Sequence, residues 1–285
     1  MSEQKDKQIQ WYPGHMFKSI REIKEKVSLM DMVMILLDAR LPLSSMNPEI
    51  IKVVKHKPVL ILLNKMDLAD SKVLSQFITY FQDQGFYTLA IDANGKKNVN
   101  KIYATCIDIL NEKHQRQMNK GLKTRAIRTM ILGIPNVGKS TLINALANKK
   151  ATRTGNTPGV TKAQQWIKLS GEFELLDTPG VLWPKFDDMK VAYHLAITGA
   201  IKDHILPLDD VCQYALNFLK ENYLKQLESR YQITKDMSYV DMLDQIGKVR
   251  GALLKGNEID YDRVYQIILT DIRGRQLGGL SFDRL

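Results

Sequence analysis

Residues 133–140 read GIPNVGKS, a G-x-x-x-x-G-K-S spacing that follows an apolar run and opens into the helix-prone TLINALANKK. Such a loop can cradle phosphate. Gly133 and Gly138 allow tight turns, so successive backbone N–H groups can converge on a β-phosphate. Lys139 is placed to reach the β- and γ-phosphates, and the Ser140 hydroxyl to ligate Mg²⁺. The helix that begins there adds its positive dipole end. Asn136, Val137, Gly138, Lys139, Ser140 and Thr141 are therefore the phosphate-side candidates. The base is read elsewhere. Asn64-Lys65-Met66-Asp67 ends an apolar run and fits N-K-x-D, in which the Asp67 carboxylate can accept both N1–H and the exocyclic amine of guanine. Adenine offers no such pair of donors, so GTP and GDP are expected over ATP. Asp177-Thr178-Pro179-Gly180 fits D-x-x-G: Asp177 would hold Mg²⁺ through water, and the Gly180 N–H would bond the γ-phosphate. Thr161 is the candidate switch threonine for Mg²⁺, ahead of Thr157.

These loops need a scaffold that brings them to one edge. Short apolar runs at 33–37, 59–63, 87–91 and 130–132 alternate with helical patterns at 73–84 and 99–115, which predicts a mostly parallel sheet with helices on both faces. Runs at 165–169 and 173–176 meet at Ser170-Gly171-Glu172 and predict a hairpin. A first helix is expected over 15–30, where Met16, Ile20, Ile23, Val27 and Met30 recur at helical spacing. Beyond about residue 182 no strand run appears. Helical patterns at 209–223, 238–254 and 261–272 predict a small all-α domain, the middle helix opened by Ser238 with Asp241 three residues on. The expected division is 1–185 for the α/β nucleotide domain with its N-terminal helical extension, and 186–285 for the helical one.

Composition narrows the class. The 285 residues are 44% hydrophobic and 25% charged, ordinary globular values that exclude fibrous and disordered chains. No apolar run approaches the ~20 residues that span a bilayer, and the start MSEQKDKQIQ holds no signal core. Two cysteines are too few for a disulfide scaffold. A cytoplasmic protein with no membrane association is expected. Its 41 Lys and Arg against 31 Asp and Glu leave +10, and a polyanionic partner suits that excess. Six of the basic residues fall within 111–128 and five within 148–168, both beside nucleotide loops. No aromatic-rich RNA-recognition pattern accompanies them, so binding is expected to be electrostatic, shape-led and salt-sensitive.

The order of the motifs is unusual. GTPases ordinarily run P-loop, switch threonine, D-x-x-G, then N-K-x-D; here N-K-x-D at 64–67 precedes the P-loop at 133–140. The chain resembles a circularly permuted GTPase. Over nearly its full length it is similar to the ribosome biogenesis GTPase A (RbgA/YlqF) family. The resemblance rests on QWYPGHM at 10–16, DAR at 38–40, the P-loop, DTPGVLWP at 177–184 and TGAIKD at 198–203. It implies a GTP-hydrolysing factor for late assembly of the bacterial large ribosomal subunit, binding precursor particles and rRNA in the GTP state and released by ribosome-stimulated hydrolysis, with 186–285 as the RNA- and ribosome-binding domain. Ribosomal proteins are further candidate partners, and a monomer is expected. Asp92 and Ala93 stand in the second base loop, where Ser-Ala or Asn-Ser is more usual, so contacts there are expected through backbone groups. Val181 and Leu182 follow Gly180 where many GTPases carry a water-orienting glutamine. His15 is then the candidate to position the attacking water, beside Lys139 and Gly180 as catalytic groups. Asn136, in the form GxPNVGKS, is a candidate ligand for K⁺ that would supply positive charge in place of an arginine finger.

Overall fold

The computed structural model describes residues 14–119, 126–147, 165–170, 173–182 and 188–285; the side chains of 14–17, 112–119 and 170 lie outside that description. Six strands form one sheet: β1 (Met32–Asp38), β2 (Val59–Asn64), β3 (Tyr87–Ala90), β4 (Ile127–Gly133), β5 (Gln165–Ser170) and β6 (Phe173–Asp177), in the order β3-β2-β1-β4-β6-β5. All neighbours run parallel except β5 and β6, the expected hairpin. Every residue of β1 and β2 is buried, as continuous apolar runs require when a strand is covered on both faces.

Helix α1 (Gly14–Lys26) precedes β1, and α2 (Pro48–Val54), α3 (Ser71–Asp83), α4 (Lys101–Asn119) and α5 (Lys139–Ala147) lie between successive strands in the chain. α1 ends at Lys26 in a short 3₁₀ turn, earlier than the apolar spacing alone indicates. α3 shows why such a helix forms. Asp70 accepts from the Lys72 and Val73 amides at its start, and Val73, Leu74, Phe77 and Phe81 share one buried face. At ~1.5–3 kcal/mol for each large side chain, that stripe outweighs the weak propensity of Thr79 on its exposed side.

The C-terminal part is helical among the described residues: α6 (Met189–Ile197), α7 (Leu208–Asn222), α8 (Leu224–Tyr231), α9 (Tyr239–Arg250) and α10 (Tyr261–Arg273). The Ser238–Asp241 capping box forms as expected, but α9 stops at Arg250 because Gly251 takes a left-handed conformation at φ 66°. α2, α6 and α8 are additions to the sequence reading. One buried cluster extends from Ile23 to Phe282, and the chain after α10 returns to the nucleotide half.

The strand register decides where the chemistry lies. Asp38 pairs with Asn64, Leu36 with Gly133 and Ile131 with Asp177, so the ends of four parallel strands, three of them polar, share the carboxyl edge of the sheet. The strand order reverses between β1 and β4, which is where open α/β sheets form their binding crevice.

Candidate nucleotide site

The P-loop leaves β4 and enters α5 in the predicted place. Asn136 lies at φ 56° and Gly138 at φ 101°. A Cβ on Gly138 would come within 2.4 Å of the Asn64 amide nitrogen, so glycine is needed for approach as well as for φ. Asn64 is 3% exposed and is the hub of the site. Its Nδ2 donates to the Val137 carbonyl at 2.8 Å, and its Oδ1 accepts from the Ala93 N–H at 3.0 Å. One side chain thus ties the N-K-x-D loop, the P-loop and the second base loop together. Asp67 follows at the open side, half-buried.

Lys65 is held at φ 61°; its Nζ donates to Asp38 Oδ2 at 3.0 Å and to the Asn136 carbonyl at 2.9 Å. Arg40 is 2% exposed and grips Asp38 with two further bonds of 2.9 and 2.7 Å. Burial on its own would raise the Asp38 carboxyl, but Arg40 and Lys65 outweigh it and hold the group well below the usual carboxylate range. Burial also lowers the Lys65 ammonium, since Asp38 and Arg40 act on it in opposite senses.

The phosphate side is equally specific. Lys139, 7% exposed, donates to the Gly133 and Ile134 carbonyls at 2.9 Å each, within reach of a β,γ-phosphate position over the loop. Asp177 is fully buried, and neither carboxylate oxygen has a hydrogen-bond donor in proper geometry among the described residues. Burial raises the Asp177 carboxyl against the pull of Lys139, and it lowers Lys139. An orphaned buried carboxylate at the end of β6, beside Lys139 at the start of α5, fits a hard divalent cation. No group of three or more His, Cys, Asp or Glu among the described residues is placed to hold a metal ion, so phosphate and water would complete the shell of any such ion.

Gly180 lies against the P-loop: a Cβ there would meet Pro135 N at 2.8 Å and Lys139 Nζ at 3.1 Å. The next residue is pinned from both sides, Val181 N to the Gly133 carbonyl at 3.2 Å and Asn47 Nδ2 to the Val181 carbonyl at 3.1 Å. Val181 and Leu182 are buried, so they offer nothing to an attacking water.

The remaining expected residues are placed as follows. The Asp92 carboxylate accepts from the Asn94 and Gly95 amides at 2.9 and 2.8 Å, and the Ala93 N–H is taken by Asn64. These groups shape the base loop rather than present a free donor to a base. Asn136 Nδ2 donates to the Gly199 carbonyl at 2.8 Å, joining the P-loop to the turn after α6. Thr141 lies half-buried in the first turn of α5. His15 belongs to the first turn of α1, with its side chain outside the described residues; Thr161 and Thr157 lie outside them altogether. Sequence reasoning gave no role to Asp38, Arg40, Asn47 or Thr178, whose hydroxyl donates to the Ile131 carbonyl at 2.7 Å. The polar DAR triplet directly after an apolar strand was a signal for the first two.

The model of a family described as 50S ribosome-binding GTPase matches residues 128–249, beginning at the P-loop strand and leaving N-K-x-D outside, as a permuted order requires. Ribosome biogenesis GTPase A of Bacillus cereus is 50% identical over 276 residues, covering 96% of this chain and 93% of that protein. The protein of the same name from Priestia megaterium is 51% identical over 277 residues, covering 96% of each. A GDP-bound structure of TM YlqF superposes with a TM-score of 0.67 at 25% identity, covering 93% of this chain and 99% of that one. The GNP-bound YlqF from T. maritima gives 0.65. A P-loop built on β4, an N-K-x-D loop that precedes it in the chain yet is bonded to it in space, and half the residues shared over the full length lead to one assignment: this GTPase belongs to the ribosome biogenesis GTPase A family.

Proposed function

We propose that the chain hydrolyses GTP as a factor in late assembly of the bacterial large ribosomal subunit, binding the precursor particle and its rRNA with GTP and leaving after ribosome-stimulated hydrolysis. The Asn64 bridge carries the nucleotide part of this reading: it fixes the guanine loop and the phosphate loop in one unit, although 73 residues separate Asn64 from Val137. The relatives' names, with ribosome biogenesis in each, support the ribosomal setting.

In the catalytic arrangement, Lys139 would exchange its two loop carbonyls for β,γ-phosphate oxygens, and the Gly180 N–H would meet the γ-phosphate. Ser140, Asp177 and Thr161 would hold Mg²⁺, which would supply charge neutralisation on the transferring phosphoryl. His15 would orient the attacking water, a task that buried Val181 and Leu182 cannot perform. Asn136 would present K⁺ to the same phosphates. Guanine would be read by Asp67 within the frame set by Asn64, Lys65, Asp92 and Ala93.

Charge indicates which half meets RNA. Residues 1–185 hold 28 basic and 16 acidic side chains, whereas 186–285 hold 13 and 15. Phosphate attraction therefore belongs to the nucleotide half, and the helical domain would engage the particle by shape and by contact with ribosomal proteins or rRNA grooves. We expect a monomer in the cytoplasm; no helix among the described residues is long and apolar enough to cross a membrane.

Multiple-turnover hydrolysis with and without large-subunit precursors tests the proposal, paired with co-sedimentation in a GTP analogue and in GDP. Stimulated turnover and GTP-dependent co-sedimentation are expected. Equal turnover with equal co-sedimentation would overturn it. The buried residues after Gly180 also favour a second reading, a nucleotide-gated RNA-binding module with incidental hydrolysis, which predicts GTP-dependent co-sedimentation without stimulation.

A further inference from the structure

After α10 the chain returns to the nucleotide half before Arg284 and Leu285 emerge at the surface. Residues 279–283 run back along the guanine loop, and Leu280, Ser281, Phe282 and Asp283 are all 6% exposed or less. Leu280 N donates to the Leu68 carbonyl at 2.9 Å, and Asp70 N donates to Ser281 Oγ at 3.2 Å. Between these two bonds Gly279 presses so closely that a Cβ there would lie 2.5 Å from the Ala69 carbonyl oxygen. Tyr223 locks the contact from the side: its hydroxyl donates to Asp70 Oδ2 at 3.1 Å and accepts from Ser281 N at 3.0 Å. The strap then crosses to the neighbouring loop, where Phe282 N donates to the Arg40 carbonyl at 2.7 Å and Asp283 accepts from Ser44 N at 2.8 Å. Asp67 thus hangs between two supports. On one side Met66 N donates to the Ile91 carbonyl at 3.1 Å; on the other the strap grips 68–70.

We propose that residues 279–283 are positioning residues for guanine recognition: the strap sets the height of the Asp67 carboxylate above the base, so the C-terminal segment takes part in nucleotide selectivity. The proposal rests on the reading of Asp67 as the guanine acceptor. The physical reason is the steep loss of a hydrogen bond with misalignment. A loop held only by its strand side would let the carboxylate swing, and a bond pair requiring both N1–H and the exocyclic amine suffers most. A contribution to fold stability alone would lower the melting point and leave base selectivity as it was.

The test compares GDP with IDP, whose base lacks the exocyclic amine, in fluorescence titrations of the full chain at saturating Mg²⁺. Wild type should prefer GDP by about tenfold or more, the worth of one hydrogen bond to a charged acceptor. Gly279→Ala, which forces strap and loop apart, should cut that preference by about threefold or more, mainly through weaker GDP binding. Ser281→Ala should act in the same direction with a smaller change, and it serves as the criterion if Gly279→Ala does not fold. An unchanged GDP:IDP ratio in the folded variants, whatever their melting points, overturns the positioning role while leaving guanine recognition intact. A wild type that does not prefer GDP to IDP removes the Asp67 reading, and the strap's role falls with it.

Discussion

Replacing Asn64 separates the three loops it joins, and the structure sets the size of the effect. Asn64→Ala strands the Val137 carbonyl and the Ala93 N–H in a site where the side chain was 3% exposed. Each stranded group costs about 1–3 kcal/mol, so the combined loss is about 2–6 kcal/mol, divided between stability and nucleotide affinity. If about half falls on binding, GDP affinity drops roughly 5- to 150-fold. Asn64→Asp is the more telling change. It keeps an acceptor for Ala93 but turns a carboxylate oxygen toward the Val137 carbonyl. Ionised, it should bind nucleotide at least as poorly as alanine. Protonated, it can donate to Val137 again. Burial against a carbonyl raises the introduced carboxyl, so the affinity of Asn64→Asp should recover as pH falls from about 8 toward 5, whereas Asn64→Ala should stay flat. Titration of a fluorescent GDP analogue across that range, with urea melts alongside, measures both. Matching pH profiles for the two variants, or affinities within about twofold of wild type, would refute the bridge as the determinant of the cradle.

His15→Ala should keep GTP affinity within about threefold and lose about 10²-fold or more of ribosome-stimulated turnover; unchanged stimulated turnover rules out the water-positioning role. Hydrolysis should run faster in KCl than in NaCl, and Asn136→Ala should remove the difference; equal wild-type rates in the two salts count against a cation at Asn136. Arg40→Ala should destabilise the fold by about 3–5 kcal/mol, because it leaves Asp38 buried with Lys65 as its remaining cation, and a denaturant melt reads the loss directly. Asp38 also fixes an acid dependence. Its folded carboxyl lies far below the ordinary value near 4, so its stabilisation is complete above about pH 4 and disappears as pH falls toward the lowered value. Thermal melts from about pH 6 to 3 should show that slope in wild type and a reduced one in Arg40→Ala.

Sheet and site were legible to different degrees, for identifiable reasons. Runs of Val, Ile and Leu bounded by polar residues located every strand, but the runs ended one residue early where Asp38, Asn64 and Asp177 close β1, β2 and β6. Those polar ends still belong to the backbone ladder, and only their side chains leave it. α2 was missed because seven residues carry too little periodicity, although Asn47-Pro48 was a readable start: Asn47 accepts from the Glu49 amide at 2.9 Å. α8 escaped because it follows α7 with Tyr223 alone between them, which gives no polar interval to read as a loop. The motif residues came forward because each type serves a local task. Asp283 and Ser281 gave no signal, since their partners lie 239 and 211 residues away and nothing in the local pattern marks such distant bonds.

The strap also sets a timetable for synthesis. The guanine loop is made early, yet the serine that accepts its Asp70 amide follows 211 residues later. At about 5–20 residues per second, translation leaves that loop without its far support for roughly 10–40 s. A chain still attached to the ribosome that is making it would thus hold its P-loop before it could hold guanine firmly. Full guanine selectivity would then come only once the strap has been made and docked.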